Sequence, residues 1–142
     1  MGLSDKSGLS TLHMTDLRIG GSCHALGEPL DYKHEPMNAV FKQGCVAGTV
    51  DELVRAGELP IPNHIKIDVD GFEPKVIAGA RMTLEKAAVK SLLVETNQNL
   101  DDHRAMVGAL NALGFRHDRE QVARAERKEG SFKGVAEYVF KR

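Results

Sequence analysis

A chain of 142 residues is long enough to bury one hydrophobic core but short for a cofactor enzyme with a complete doubly wound sheet, so a single domain over 1–142 is expected. Hydrophobic residues make up 42%, charged residues 27% and the formal net charge is -1, a balance that excludes a disordered chain and offers no broad positive field for nucleic acid. No apolar run approaches the roughly 20 residues that span a bilayer, and the opening MGLSDKSG lacks the basic and apolar regions of a signal peptide, so a cytoplasmic protein without a membrane partner is expected.

Cys23 and Cys45 are too far apart for a Cys-x-x-Cys pair and too few to staple a secreted scaffold, which makes them free thiols. The histidines at 13, 24, 34, 64, 103 and 117 show no metal-ligand spacing, and no metal site is expected from them. Residues 1–48 are rich in turn formers between short apolar pieces and read as a hairpin and loop segment. Thr49-Val50-Asp51-Glu52 has the form of a capping box, opening a short helix that runs to about Ala56 and ends at Gly57. Pro60 and Pro62 impose an extended approach to a strand over His64 to Val69, whose β-branched Ile65, Ile67 and Val69 stop at Asp70-Gly71.

Pro74 suits the first turn of a helix with Ile77, Ala80, Leu84 and Ala87 or Ala88 on one face. Ser91 to Glu95 makes a second strand, and Asp101 or Asp102 caps a helix carrying Met106, Val107, Leu110 and Leu113 up to Gly114. Phe115 begins a third strand and Gly134 to Phe140 forms the last, which pairs antiparallel if no crossover helix intervenes; residues 119–127 have the length for one or two helical turns. The expected fold is therefore α/β: a βαβαββ part over 49–142, forming a partial doubly wound, Rossmann-like sheet, mostly parallel with an antiparallel last strand, preceded by the hairpin and loop segment.

In such a sheet a ligand sits beyond the carboxyl ends of the strands, at residues 68–73 and 95–99. Lys66, Asp68 and Asp70 share strand parity, and Gly71 allows the backbone to turn or to approach a ligand closely. The same acids suit helix caps, and Lys66 suits an ion pair with Asp68; spacing alone does not choose between cap and cleft.

The stretch IKIDVDGFEPKVIAGARMTLEKAAVKSLLVET resembles the FkbM-type methyltransferases, whose pattern falls here on Lys66, Asp68, Asp70, Gly71, Glu73, Gly79, Ala80 and Glu95. The resemblance extends more weakly to Gly2–Gly8, to Gly21-Ser22, to Thr49–Leu53 and to the closing GVAEYVFKR. It implies a Rossmann-like enzyme that moves a methyl group from S-adenosylmethionine to a hydroxyl oxygen of a small-molecule or sugar acceptor.

Under that resemblance Asp68 and Asp70 are the first catalytic candidates, then Glu73, then Glu95. Ser22, Asp68 and Gly71 are candidates for cofactor contact. His24 is a further candidate base, and magnesium held by Asp68 and Asp70 is a lesser reading. Members of the family carry a glycine-rich cofactor turn and an acidic ribose-binding strand ahead of the point where this sequence starts, and neither pattern is found in it. Weak or absent cofactor binding by the isolated chain is therefore expected. The contrasting reading is a non-catalytic half-domain that pairs with itself or with a partner through the 64–70 strand, which would then lie at a sheet edge.

Overall fold

The computed structural model describes all 142 residues and arranges them in two four-stranded sheets. The first contains β1 (Gly2–Leu3), β2 (Gly8–Met14), β3 (Ala25–Leu26) and β4 (Phe41–Gly48), in the order β1-β4-β2-β3. Its spine is the antiparallel β2–β4 pair, with Leu9 opposite Val46 and His13 opposite Lys42. The segment expected as hairpin and loop is thus a sheet in its own right, since turn formers such as Gly20, Gly21, Gly27 and Pro36 fall between strands. It is thinly packed: Leu9, Phe41 and Val46 are exposed, and His13, Ala25 and Ala47 are its main buried side chains.

Residues 49–142 supply α1 (Val50–Arg55), β5 (His64–Ile67), α2 (Glu73–Ala78), α3 (Arg81–Leu84), β6 (Ser91–Asn97), α4 (Asp101–Ala112), β7 (Arg116–His117), α5 (Arg119–Ala125) and β8 (Val135–Lys141). The second sheet has the order β5-β6-β8-β7. Its first pairing is parallel and the other two are antiparallel, so β5, β6 and β7 point one way and β8 alone runs against them, the strand directions expected of a mostly parallel sheet with an antiparallel last strand. The Asp118 side chain accepts the Glu120 N–H at 2.8 Å and starts α5 at once, cutting β7 to two residues. The last strand is antiparallel, as its sequence suggested, and it inserts between β6 and β7.

Ile67, Val94 and Tyr138 align across three strands, as do Ile65, Leu92 and Phe140. They form one face of the second sheet, packed in a core with Val76, Ile77, Leu84, Met106 and Leu110. On the other face Lys66 and Glu137 are exposed and Leu93 and Val139 half-buried. Both faces of a doubly wound sheet are covered; charged residues at these positions leave this one open to water. No helix is long and apolar enough to cross a membrane.

The two sheets meet at the start of α1 and the end of α2. Thr49 accepts the Glu52 N–H at 3.1 Å, the first half of the capping box. The reciprocal half is replaced, because the Glu52 carboxylate accepts the Ser7 hydroxyl. Asp51 caps α3, accepting the N–H groups of Met82 at 2.9 Å and Thr83 at 2.7 Å. The helix expected from Pro74 breaks into α2 and α3 at Gly79, where a Cβ would lie 2.0 Å from the Ser4 carbonyl oxygen.

That contact makes Gly79→Ala destabilising by about 1–3 kcal/mol in urea denaturation, because backbone rather than a flexible side chain must move. Gly108→Ala in α4, with no atom within 4 Å of the new Cβ, is expected instead to stabilise by up to about 1 kcal/mol. Equal effects would contradict the close approach at Gly79.

Candidate functional site

Beyond β5 the backbone turns through Asp70 (φ 52) and Gly71 (φ 104), both in the left-handed region. Gly71 is required sterically as well, since a Cβ there would come within 2.9 Å of the Tyr32 Cα. Glu73, the first residue of α2, is fully buried and folds its carboxylate back over the turn. Its Oε1 accepts the Val69 N–H at 2.9 Å and its Oε2 the Gly71 N–H at 3.2 Å. The Gly71 carbonyl faces Nε2 of His34 at 2.9 Å and Nε2 of His103 at 3.1 Å.

Three non-glycine residues have positive φ in the whole chain: Cys23, His34 and Asp70. All three converge on this turn, for the Cys23 backbone N–H acts on the Asp70 carboxyl and His34 grips the next peptide. Strain of this kind persists only where surrounding contacts over-determine it, and it clusters at functional sites.

The carboxylates of Asp68, Glu73 and Glu95 have oxygens within 4.8 Å of one another. Lys66 neutralises Asp68 at 3.0 Å, and Arg127, stacked over the Phe132 ring, neutralises Glu95 at 3.0 Å. Glu73 has no cation. Its nearest candidate is His103, at 3.6 Å, whose pKa burial pushes down. Burial, with a contribution from the Glu95 charge and against the backbone N–H groups, pushes Glu73 up to about 7. Burial also raises Asp70, aided by the Asp68 charge and opposed by the Cys23 N–H and His24, and raises Glu95 against the pull of Arg127.

The structure therefore brings Asp68, Asp70, Gly71, Glu73 and Glu95 together at the ends of β5 and β6. Glu73 turns inward and braces the turn, while Asp70 and Asp68 face the open side. Ser22 is exposed, with its hydroxyl 3.8 Å from Cys23 Sγ, and precedes the Cys23 N–H that acts on Asp70. His24 accepts the Thr15 N–H at 3.3 Å and reaches Asp70 only through its charge. No motif or spacing in the sequence singles out His34, His103, Tyr32 or Arg127. Tyr32 stacks on Phe132 with ring centroids 4.2 Å apart, and its carbonyl accepts the Asn97 side-chain amide at 3.2 Å, so residues 30–36 strap the two strand ends.

Under the strap is a void of about 10 Å³ lined by Glu73, Glu95, Asn97 and His103, at the lower limit for one water. A groove of about 340 Å³ runs along the open edge of β5 and reaches Lys66 and Asp68 between walls of Leu3, Ile65, Val69 and Val76. A larger groove, about 530 Å³, lies between α2 and α4 and touches none of the candidate acids. Two side-chain sets have metal-ligand proximity: Asp68, Glu73 and Glu95, and His34, Asp102 and His103. A cation in the first would compete with Lys66 and Arg127, and in the second both His103 nitrogens are already engaged.

The raised pKa of Glu73 sets a pH dependence. Below pH 4.5 the carboxyl is protonated folded or unfolded; between 4.5 and about 7 only the unfolded chain ionises, so stability falls as pH rises through that window and levels off above it. The fall attributable to Glu73 is on the order of 3 kcal/mol. Urea denaturation across this range is expected to show it in the native chain and a flatter profile in Glu73→Gln; parallel profiles would place the titration elsewhere.

Residues 19–117 match the Methyltransferase FkbM domain. The hexuronic acid methyltransferase AglP of Haloferax volcanii is 43% identical over 51 residues, 36% of this chain and 20% of that protein, so the chain spans about a fifth of the length of this curated relative. No solved structure matches. With the domain match covering most of its length, including the turn at Asp70 and the strand that ends near Glu95, the chain belongs to the FkbM methyltransferase family.

Proposed function

We propose that this domain serves methyl transfer from S-adenosylmethionine to a hydroxyl oxygen, with Asp70 as the proton acceptor and Asp68 as its neighbour in alignment. The observation that carries this reading is the convergence of all three strained non-glycine residues on a turn that holds Asp70 half-buried at the carboxyl end of β5. S-adenosylmethionine, when bound, supplies a sulfonium methyl that an oxygen attacks in line. The protein's share is to orient that oxygen and take its proton.

A carboxyl whose proton affinity burial has raised is the better base near neutral pH, which favours Asp70. The groove along β5, apolar in its walls and acidic at Asp68, is within the size range of small-ligand clefts and suits an adenosyl group with its hydroxyls. On the far side Arg127 has N–H groups beyond the one facing Glu95. These would meet a carboxylate on the acceptor, consistent with a uronic acid, the class named for the Haloferax relative.

Asp70→Asn tests the assignment, because asparagine tolerates the left-handed backbone while losing the base. Transfer of labelled methyl to uronic acid acceptors, assayed with whatever in-frame sequence the gene places ahead of Met1, is expected to fall by about a hundredfold with little change in the urea midpoint. Unchanged turnover would remove Asp70 from the reaction.

A second reading, a half-domain that assembles rather than catalyses, draws support from the position of β5 at the sheet edge beside an apolar groove. An open strand with Lys66 as its only internal charge is a template for another chain. Light scattering of the 142-residue chain is then expected to give a dimer or larger species, with the amides of Ile65 and Ile67 protected from exchange. A monomer with freely exchanging amides there would contradict assembly through this edge.

A further inference from the structure

His34 and His103 come from distant parts of the chain, yet their Nε2 atoms share one acceptor, the Gly71 carbonyl, at 2.9 and 3.1 Å. The state of His103 follows from its other nitrogen. The Asn97 backbone N–H points at Nδ1 at 3.1 Å, so Nδ1 must present a lone pair and the ring proton must lie on Nε2, where it donates to Gly71. A second proton on Nδ1 would set donor against donor.

The groups facing the ring agree with a neutral state. Glu73 Oε2 is 3.6 Å from Nε2 but is itself short of charge at neutral pH, and the His34 ring centroid is 6.2 Å away. Asp102 draws the other way from the surface. His103 also sits in the first turn of α4, where free backbone N–H groups disfavour a cation.

We infer that His103 is a positioning residue for the chemistry proposed at Asp70: a neutral imidazole with its proton on Nε2 that, together with His34, fixes the Gly71 carbonyl and through it the left-handed backbone of Asp70. Because Asn97 ends β6 and Gly71 follows β5, the same ring keeps the two acidic strand ends in register. The inference rests on the proposed function for its significance, while the clamp is a property of the fold and can be tested without turnover.

The test is nitrogen-15 NMR of the histidine-labelled full chain, with carbon-13 detection of the Gly71 carbonyl and the Asp70 carboxyl. His103 is expected to show the neutral Nε2–H pattern at neutral pH; an Nδ1–H tautomer or an imidazolium there would overturn the inference. His103→Gln gives up the Asn97 contact but keeps an N–H at the reach of Nε2, and is expected to preserve the Gly71 carbonyl shift and the Asp70 titration midpoint. His103→Leu is expected to move both, and no movement in Leu would overturn it. If the Leu variant does not fold, the Gln variant decides: a displaced Gly71 or Asp70 signal there counts against the Nε2 donor. Titration with S-adenosylmethionine and a uronic acid separates the two claims, since an Asp70 signal indifferent to both speaks against the proposed function and leaves the clamp standing.

Discussion

The Gly71 peptide is gripped on both sides: its N–H by a buried carboxyl on α2, and its carbonyl by imidazoles from the strap and from α4. Holding a non-glycine residue such as Asp70 in the left-handed region costs about 1–3 kcal/mol. Each satisfied buried hydrogen bond returns about 1 kcal/mol net, and leaving one of these groups unpaired costs more than that. The three bonds at Gly71 therefore offset the strain at Asp70, and the position of the acidic cluster follows from them. A turn held by one contact would relax; this one is fixed from three separate elements.

The charge arrangement depends on the same geometry. Three carboxylates share two cations, and the unpaired one, Glu73, is the one that the turn draws inward. Burial thus sorts the acids by task. Glu73 braces the backbone, Asp68 and Glu95 are held by Lys66 and Arg127, and Asp70 is left half-buried with only backbone and a distant imidazole to stabilise its charge.

What was legible in the sequence was local. The β-branched run at Ile65 and Ile67, the turn at Asp70-Gly71 and the cap at Thr49 are encoded within a few residues and are present in the structure, although the strand expected to reach Val69 ends at Ile67. The sheet edge at β5 was also foreseen, from the family's strand order rather than from any local signal. The misreadings were long-range. The break at Gly79 lies against the Ser4 carbonyl 75 positions away. Asp101 and Asp102 promised a cap for α4, but the cap residue is Leu100, and the structural role went to His103 beside them. No periodicity announces that two histidines 69 positions apart will meet one carbonyl.

The thin packing of the first sheet bears on how the site opens. Every residue of the main hydrophobic core lies at Val50 or beyond, so β1 to β4 are held by backbone pairing and by a few links such as Lys75 to Glu28 at 2.7 Å. Cooperative units with few buried apolar contacts detach at a fraction of the global free energy. The strap over Asp70 and Glu95 joins β3 to β4 and so belongs to the weaker unit. Exposure of Glu73 and Glu95 beneath it is then governed by a sub-global unfolding equilibrium: the segment that covers them is also the first to leave, and a protease would find the strap while the second sheet was still intact.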